Sequence, residues 1–359
     1  MPKGRSQGLA PLRFFHTPHH RLSIRDTRNV RNPLAIRATA AHSSHMDSPD
    51  YRQIIDAPTW DFIRRTDAAY PPDTATLSIA DQRAIYDRMC REFHRGYPPG
   101  VTAEDRPFGG VPCRHYPGTG GTVVYFHGGG FVVGGLHSHD DVCAEIRAET
   151  GLSVVSVDYR LSPEHPHPAA FHDAIAATRA IAAACPAPRL LAGDSAGGNL
   201  AAATAQAIGR KGGYGIAGMV LIYPGLGGNK DAGSYLTHAQ APMLTRDDVL
   251  FYSRIRHGEA TPPPPDPTFA PLSDTDFAHL PPTLAIAAEC DPLADDAAAY
   301  AARLTAAGTP ARAITEPGLV HGYLRARATV PRAAASFARI TRTLSAMAHG
   351  TWPNPQDRP

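Results

Sequence analysis

From about residue 101 the chain alternates short apolar runs with helical stretches, and this alternation narrows the fold more than any other feature. Strand-like runs stand at Thr122–Phe126, Ser153–Val157, Arg189–Ala192, Met219–Tyr223, Thr283–Ala287 and Ala311–Thr315. Helical stretches follow or separate several of them, at Ala169–Ala184, Asn199–Arg210, Leu293–Ala307 and Pro331–Met347. Parallel neighbours cannot be joined by a tight turn, and a crossover helix is the usual solution. The pattern therefore predicts an α/β fold: a mostly parallel central sheet with helices on both faces.

Two segments stand outside the alternation. Residues 47–96 read as short helices: Pro58 suits a first turn, and Ser78 suits the cap of a segment in which Ile85, Met89 and Phe93 recur every fourth residue. After Tyr223-Pro224 come a Gly-rich loop, a helical piece near Thr245–Arg256 and the run Pro262-Pro263-Pro264-Pro265, which reads as an insertion. The expected organisation is a basic leader over 1–45, N-terminal helices over 46–100, a catalytic domain over 101–348 interrupted at about 226–262, and a tail over 349–359.

Composition removes several function classes. Of 359 residues, 43% are hydrophobic and 19% charged, enough for a large core and too apolar for wholesale disorder. No apolar run approaches the roughly 18 residues of a membrane helix. The formal charge of +2 divides unevenly: residues 1–45 hold eight Lys and Arg against Asp26, a net +7, which leaves −5 for the rest. A mildly acidic body speaks against a nucleic-acid groove. The leader overlaps in composition with an organelle transit peptide, but a disordered extension, or an upstream start codon with Met46 the true beginning, is favoured, because periodicity begins only after Met46. Cys90, Cys113, Cys143, Cys185 and Cys290 are odd in number and lack CxxC spacing, which fits a reducing, cytoplasmic setting rather than disulfides or zinc.

The chemistry centres on Gly193-Asp194-Ser195-Ala196-Gly197, a G-x-S-x-G sequence with a strand running in and a helix running out. In that context Ser195 stands on a sharp turn, its hydroxyl clear of the sheet, with a helix N-terminus behind it to favour negative charge. The alternative is an ordinary Gly-rich turn. Upstream, the first apolar run opens into His127-Gly128-Gly129-Gly130, where a bare backbone can aim N–H groups at one point. Gly128, Gly129, Gly130 and Ala196 are thus the expected oxyanion donors. A phosphate loop is the competitor, but its Lys and Ser/Thr are missing.

Ser195 needs a base, and the base an orienting acid. Asp291 follows a late strand and precedes Pro292; its bland role is to cap the next helix. Asp295 and Asp296 lie a turn further on. Only His321 and His349 follow Asp291, and His349 lies beyond the last helix, so His321 is the expected base. Trp60, Phe62 and Tyr252 are candidates to line a pocket, although aromatic residues on such helices more often serve ordinary packing. His137, His139, Asp140 and Asp141 resemble metal ligands on paper, but capping and packing fit them better. No metal and no cofactor is expected.

Taken together, His127-Gly128-Gly129-Gly130-Phe131, Tyr159-Arg160-Leu161-Ser162-Pro163-Glu164-His165-Pro166, Gly193-Asp194-Ser195-Ala196-Gly197-Gly198-Asn199, Asp291-Pro292-Leu293 and His321-Gly322-Tyr323 resemble the hormone-sensitive-lipase-like (bacterial family IV) esterases of the α/β-hydrolase fold. The resemblance runs from about Met46 to Met347. It implies Ser195 as nucleophile, His321 as base, Asp291 as its partner, and a helical cap formed by 47–96 and roughly 226–262. Ser162, Tyr323 and Ala294-Asp295-Asp296 depart mildly from the family pattern. The implied activity is hydrolysis of a short-chain ester, a small molecule, with no nucleic acid or membrane partner; a homodimer is compatible with the sequence. An amidase or arylformamidase with the same triad, a ligand receptor with a broken one, and a vestigial interaction module are the alternatives. A long-chain lipase is disfavoured by the lack of an extended apolar lid.

Overall fold

The structure is a computed structural model. It describes residues 49–71, 74, 77–209, 214–258 and 265–352. The basic leader, Pro262 to Pro264 and most of the tail lie outside the described residues.

Eight strands form one sheet: β1 (Glu104–Phe108), β2 (Val111–Tyr116), β3 (Thr122–Phe126), β4 (Ser153–Val157), β5 (Arg189–Asp194), β6 (Ile216–Ile222), β7 (Thr283–Cys290) and β8 (Ala311–Val320). Their order is β1-β2-β4-β3-β5-β6-β7-β8, antiparallel at β1/β2 and β2/β4 and parallel elsewhere. Alternate residues of β3 serve opposite faces. Val123 and Tyr125 join one core cluster, Val124 and Phe126 the other. This is why its sequence is apolar throughout rather than alternating.

The helices are α1 (Tyr51–Ile54), α2 (Ala57–Ala68), α3 (Ile79–Phe93), α4 (Asp140–Thr150), α5 (Ala169–Ala184), α6 (Ala196–Gly209), α7 (Ser234–Thr237), α8 (Arg246–His257), α9 (Ala294–Ala306) and α10 (Pro331–Ala348). Among them α4 and α10 pack on one face of the sheet, through Ile146, Phe337 and Leu344. The other face is covered by α5, α6 and α9, through Ile181, Leu200 and Leu304. Each buried Val, Leu or Ile of this kind stabilises by roughly 1.5–3 kcal/mol.

Local chemistry sets the helix ends. Asp56 accepts from the Thr59 amide at 3.0 Å to start α2, with Pro58 in the first turn. Ser78 accepts from Asp81 N at 3.2 Å to start α3, whose Ile85, Met89 and Phe93 are buried as their spacing predicts. Two features of the catalytic region were not marked by sequence periodicity: the β1–β2 hairpin and α4. Charges and Pro107 in β1 and Pro112 in β2 mask strand propensity, while the hairpin is made by Gly109 and Gly110 at φ +60° and +82°.

The topology also sets where a site can lie. From β3 the chain passes to β4 on one side and later returns to β5 on the other. The loops leaving β3 and β5 therefore diverge and leave a crevice at their carboxyl ends, where α/β sheets bind ligands.

Candidate active site

Both glycine motifs open into that crevice. Ser195 sits between β5 and α6 with φ +54°, a conformation rare for a side-chain-bearing residue. Its amide donates to Ile222 O at 2.8 Å, and its carbonyl accepts from Asn199 N at 3.1 Å, so both flanks hold the turn. A Cβ on Gly193 would overlap the Gly197 carbonyl, and one on Gly197 the Phe126 carbonyl. Only glycine lets strand and helix come this close at both positions.

Three loops then converge. His321 Nε2 lies 2.8 Å from Ser195 Oγ, and His321 Nδ1 lies 2.7 Å from Asp291 Oδ2. Asp291 is wholly buried, and its Oδ1 accepts from Leu293 N at 2.9 Å. Its two oxygens thus serve both expected roles: one starts the following helical turn, the other holds the imidazole. The His321 ring rests on Tyr223, with centroids 4.8 Å apart. Asp295 and Asp296 turn elsewhere, to Ser234 N at 2.8 Å and Leu226 N at 2.6 Å. His349 bonds Ser345 O near the end of α10.

The glycine loop corrects one expectation. The Gly128 amide donates to Asp194 Oδ1 at 2.9 Å, so it is not free to receive an oxyanion. Gly129 and Gly130, at φ +126° and +61°, are partly exposed on the cavity and make no backbone bond through their amides. Ala196 is the first residue of α6, where an amide has no intrahelical partner. These three residues line the same cavity as Ser195, and their amides have no backbone partner.

Asp194 is the functional residue the sequence reading passed over, because it fills a variable position of its motif. Besides the Gly128 amide it accepts from Tyr125 Oη at 2.8 Å and contacts His139 Nε2 at 3.2 Å and Tyr223 Oη at 3.4 Å. Burial opposes its charge, but the His139 and Arg325 charges and these donors win, and its carboxyl is held well below the usual range. It fastens the glycine loop to the nucleophile turn. Tyr159 supports the same loop: it stacks on His127 at 4.3 Å and donates to His127 O at 2.6 Å. His139, Asp140 and Asp141 serve separate partners: Asp194, the Tyr97–Tyr116–Arg114 group, and Arg327.

The matching sequence family is the one described as alpha/beta hydrolase fold, and it covers residues 123–325, more than half of the chain. The carboxylesterase NlhH of Mycobacterium tuberculosis is 35% identical over 288 residues, spanning 78% of this chain and 86% of that protein. An esterase from the bacterial hormone-sensitive lipase family superposes with a TM-score of 0.73 at 28% identity, covering 84% of this chain and 99% of that one. The chain belongs to the hormone-sensitive-lipase-like α/β-hydrolases. The ethyl acetate hydrolase of Pseudomonas putida is 33% identical over 235 residues, 63% of this chain and 73% of that protein.

In this α/β-hydrolase a cavity of about 790 Å³ stands over Ser195 and His321. Its walls come from α2 and α3 on one side (Thr66, Tyr86, Met89) and from the α7–α8 region on the other (Tyr235, Leu244, Tyr252). Tyr252 lines it as expected, and its ring is what a Cβ on Gly130 would strike. Trp60 and Phe62 do not. Phe62 is buried edge-on against Phe93, at 5.2 Å, where α2 packs on α3, and Trp60 packs on the main core. The α3 wall is pinned by Arg83, which donates to Val132 O at 2.7 Å and Ser162 O at 2.8 Å and pairs with Glu164.

Proposed function

We propose that this hydrolase is a serine carboxylesterase that cleaves short-chain esters of small molecules through an acyl-Ser195 intermediate. The observation that carries this reading is the unbroken run of hydrogen bonds from Ser195 Oγ through His321 to Asp291. His321 takes the Ser195 proton as Oγ attacks the ester carbonyl, then gives it to the leaving alkoxide. A water next loses its proton to His321 and attacks the acyl carbon, and the acid leaves as Ser195 is reprotonated. Asp291 holds the imidazole tautomer and stabilises the imidazolium. Gly129, Gly130 and Ala196 amides face the oxygen that becomes negative in each tetrahedral state.

The N-terminal helices and the 226–262 insertion act as a two-piece cap that keeps water from the acyl-enzyme. The names of the relatives favour ester over amide substrates, and a receptor would have no use for an intact relay. All five cysteines are free and buried, and no helix among the described residues is long and apolar enough to cross a membrane. We assign the chain to the cytoplasm on the thiols. A homodimer remains part of this reading, checked by sedimentation.

Ser195→Ala should lower kcat for 4-nitrophenyl acetate by about 10⁶, and a fluorophosphonate probe should label the wild type alone. Turnover by the variant at the wild-type rate would sink the assignment.

A further inference from the structure

The cavity wall holds a cation that the reaction above does not use. Arg325 lies on the short 3-10 turn Tyr323–Ala326, directly after the His321–Gly322 corner. Its Nη2 donates to the Tyr86 hydroxyl of α3, its Nε is sealed from solvent, and the guanidinium also stands against the Cys90 thiol. Its Nη1 makes no bond within the protein and borders Gly322, 3.3 Å from where a Cβ on that residue would stand. Among the described residues Arg325 forms no ion pair. Burial works against its charge, and the field of the Asp194 carboxylate favours it.

Of the other charges on the cavity, Arg254 is a solvent-exposed residue of α8, and the rest are paired or stand in the field of a carboxylate. Arg246 pairs with Asp231, and Asp266 with His167. Asp194 is held by four partners, and Asp67 has a partner of its own. Lys230 stands in the field of Asp296 and Asp231. Arg256 is closed to ligands: its guanidinium lies between the Phe131 and Phe269 rings, at 3.6 and 4.2 Å, and donates to the Phe269 and Thr268 carbonyls. Arg325 alone among these cations presents an unused N–H beside the catalytic histidine corner.

A guanidinium N–H that borders an apolar-walled cavity with no acceptor on the protein side is unsatisfied, and the ligand chemistry that pairs best with it is a carboxylate. We propose that Arg325 Nη1 recognises a carboxylate carried by the substrate, so that this enzyme favours acid-bearing esters over their neutral isosteres. This rests on the ester-hydrolase reading and adds a substrate class to it.

Two isosteric pairs test it, each replacing a terminal methyl with carboxylate. In the acyl part the pair is 4-nitrophenyl pentanoate and mono-4-nitrophenyl glutarate; in the alcohol part it is butyl acetate and 4-acetoxybutanoate. The quantity read is the acid-over-neutral ratio of kcat/KM. Removing one partner of a desolvated charge pair should lower that ratio by about 30-fold or more in Arg325→Met for at least one pair, with Arg325→Lys in between. A smaller change in both pairs overturns the proposal. Should the Met variant fail to fold, the wild type decides: acid-bearing esters cleaved more slowly than their isosteres in both pairs also overturn it. Failure to cleave either neutral ester would instead defeat the ester-hydrolase reading itself.

Discussion

Ser195, Asp291 and His321 arrive from loops after β5, β7 and β8, and their meeting depends on residues that touch no substrate. The motif spacing makes the three legible, because a strand-to-helix turn, a late acidic loop and a final histidine leave few other choices. Gly128 shows the limit of that reading. Three glycines in a row look equivalent in sequence, yet the first spends its amide on Asp194 and only the next two face the cavity. A buried partner 66 positions away carries no periodic signal. Gly130 allows a sharp test. Its φ of +61° and the Tyr252 ring both oppose a side chain, so Gly130→Ala should shift the loop and cost about 10²–10³ in kcat. Adding Tyr252→Ala should recover part of the loss, as measured by steady-state kinetics. No recovery would mean that backbone strain alone is responsible.

At the level of elements, helices with clear caps and long apolar strands are readable, while short or charged ones are not. The helix Ala169–Ala184 has the bounds its composition predicts. The missed α4 begins with Asp140-Asp141 and buries Asp141 through Ala144 in succession, nearly all the way round one turn, so its periodicity is weak. Trp60 and Phe62 fail as pocket residues for a related reason. Helical spacing locates a buried face but does not say whether core or cavity lies opposite. The insertion helix α8 carries Tyr252 and Arg256 and is secured by a reciprocal capping box between Thr245 and Asp248. Thr245→Ala should destabilise this helix by about 1 kcal/mol. Because α8 walls the cavity and bears no triad residue, the change should appear mainly in KM, with faster amide exchange confined to α8. An equal loss in kcat with unchanged KM would contradict a cap role.

For the molecule as a whole, two buried groups give opposite responses to acid. Burial pushes the Asp296 carboxyl up to about 6, despite donors from Leu226 N at 2.6 Å, Tyr235 Oη at 3.1 Å and Gly228 N at 3.3 Å. A carboxyl raised in the folded state contributes stability that is full below its unfolded value near 3.8 and is lost as pH rises through about 6. Burial, with His139 beside it, lowers His127 to about 4. That neutral imidazole contributes stability that is full above 6.5 and is lost as pH falls through about 4. Each shift corresponds to about 3 kcal/mol at most, and between pH 4 and 6 the two slopes oppose one another. Asp296→Asn removes one of them. Relative to the wild type, the variant should then be more favoured at pH 7 than at pH 4.5, the difference in Tm between the two proteins changing by several degrees. A Tm difference that stays constant across that range would show that Asp296 is already ionised throughout, its three donors having overcome burial.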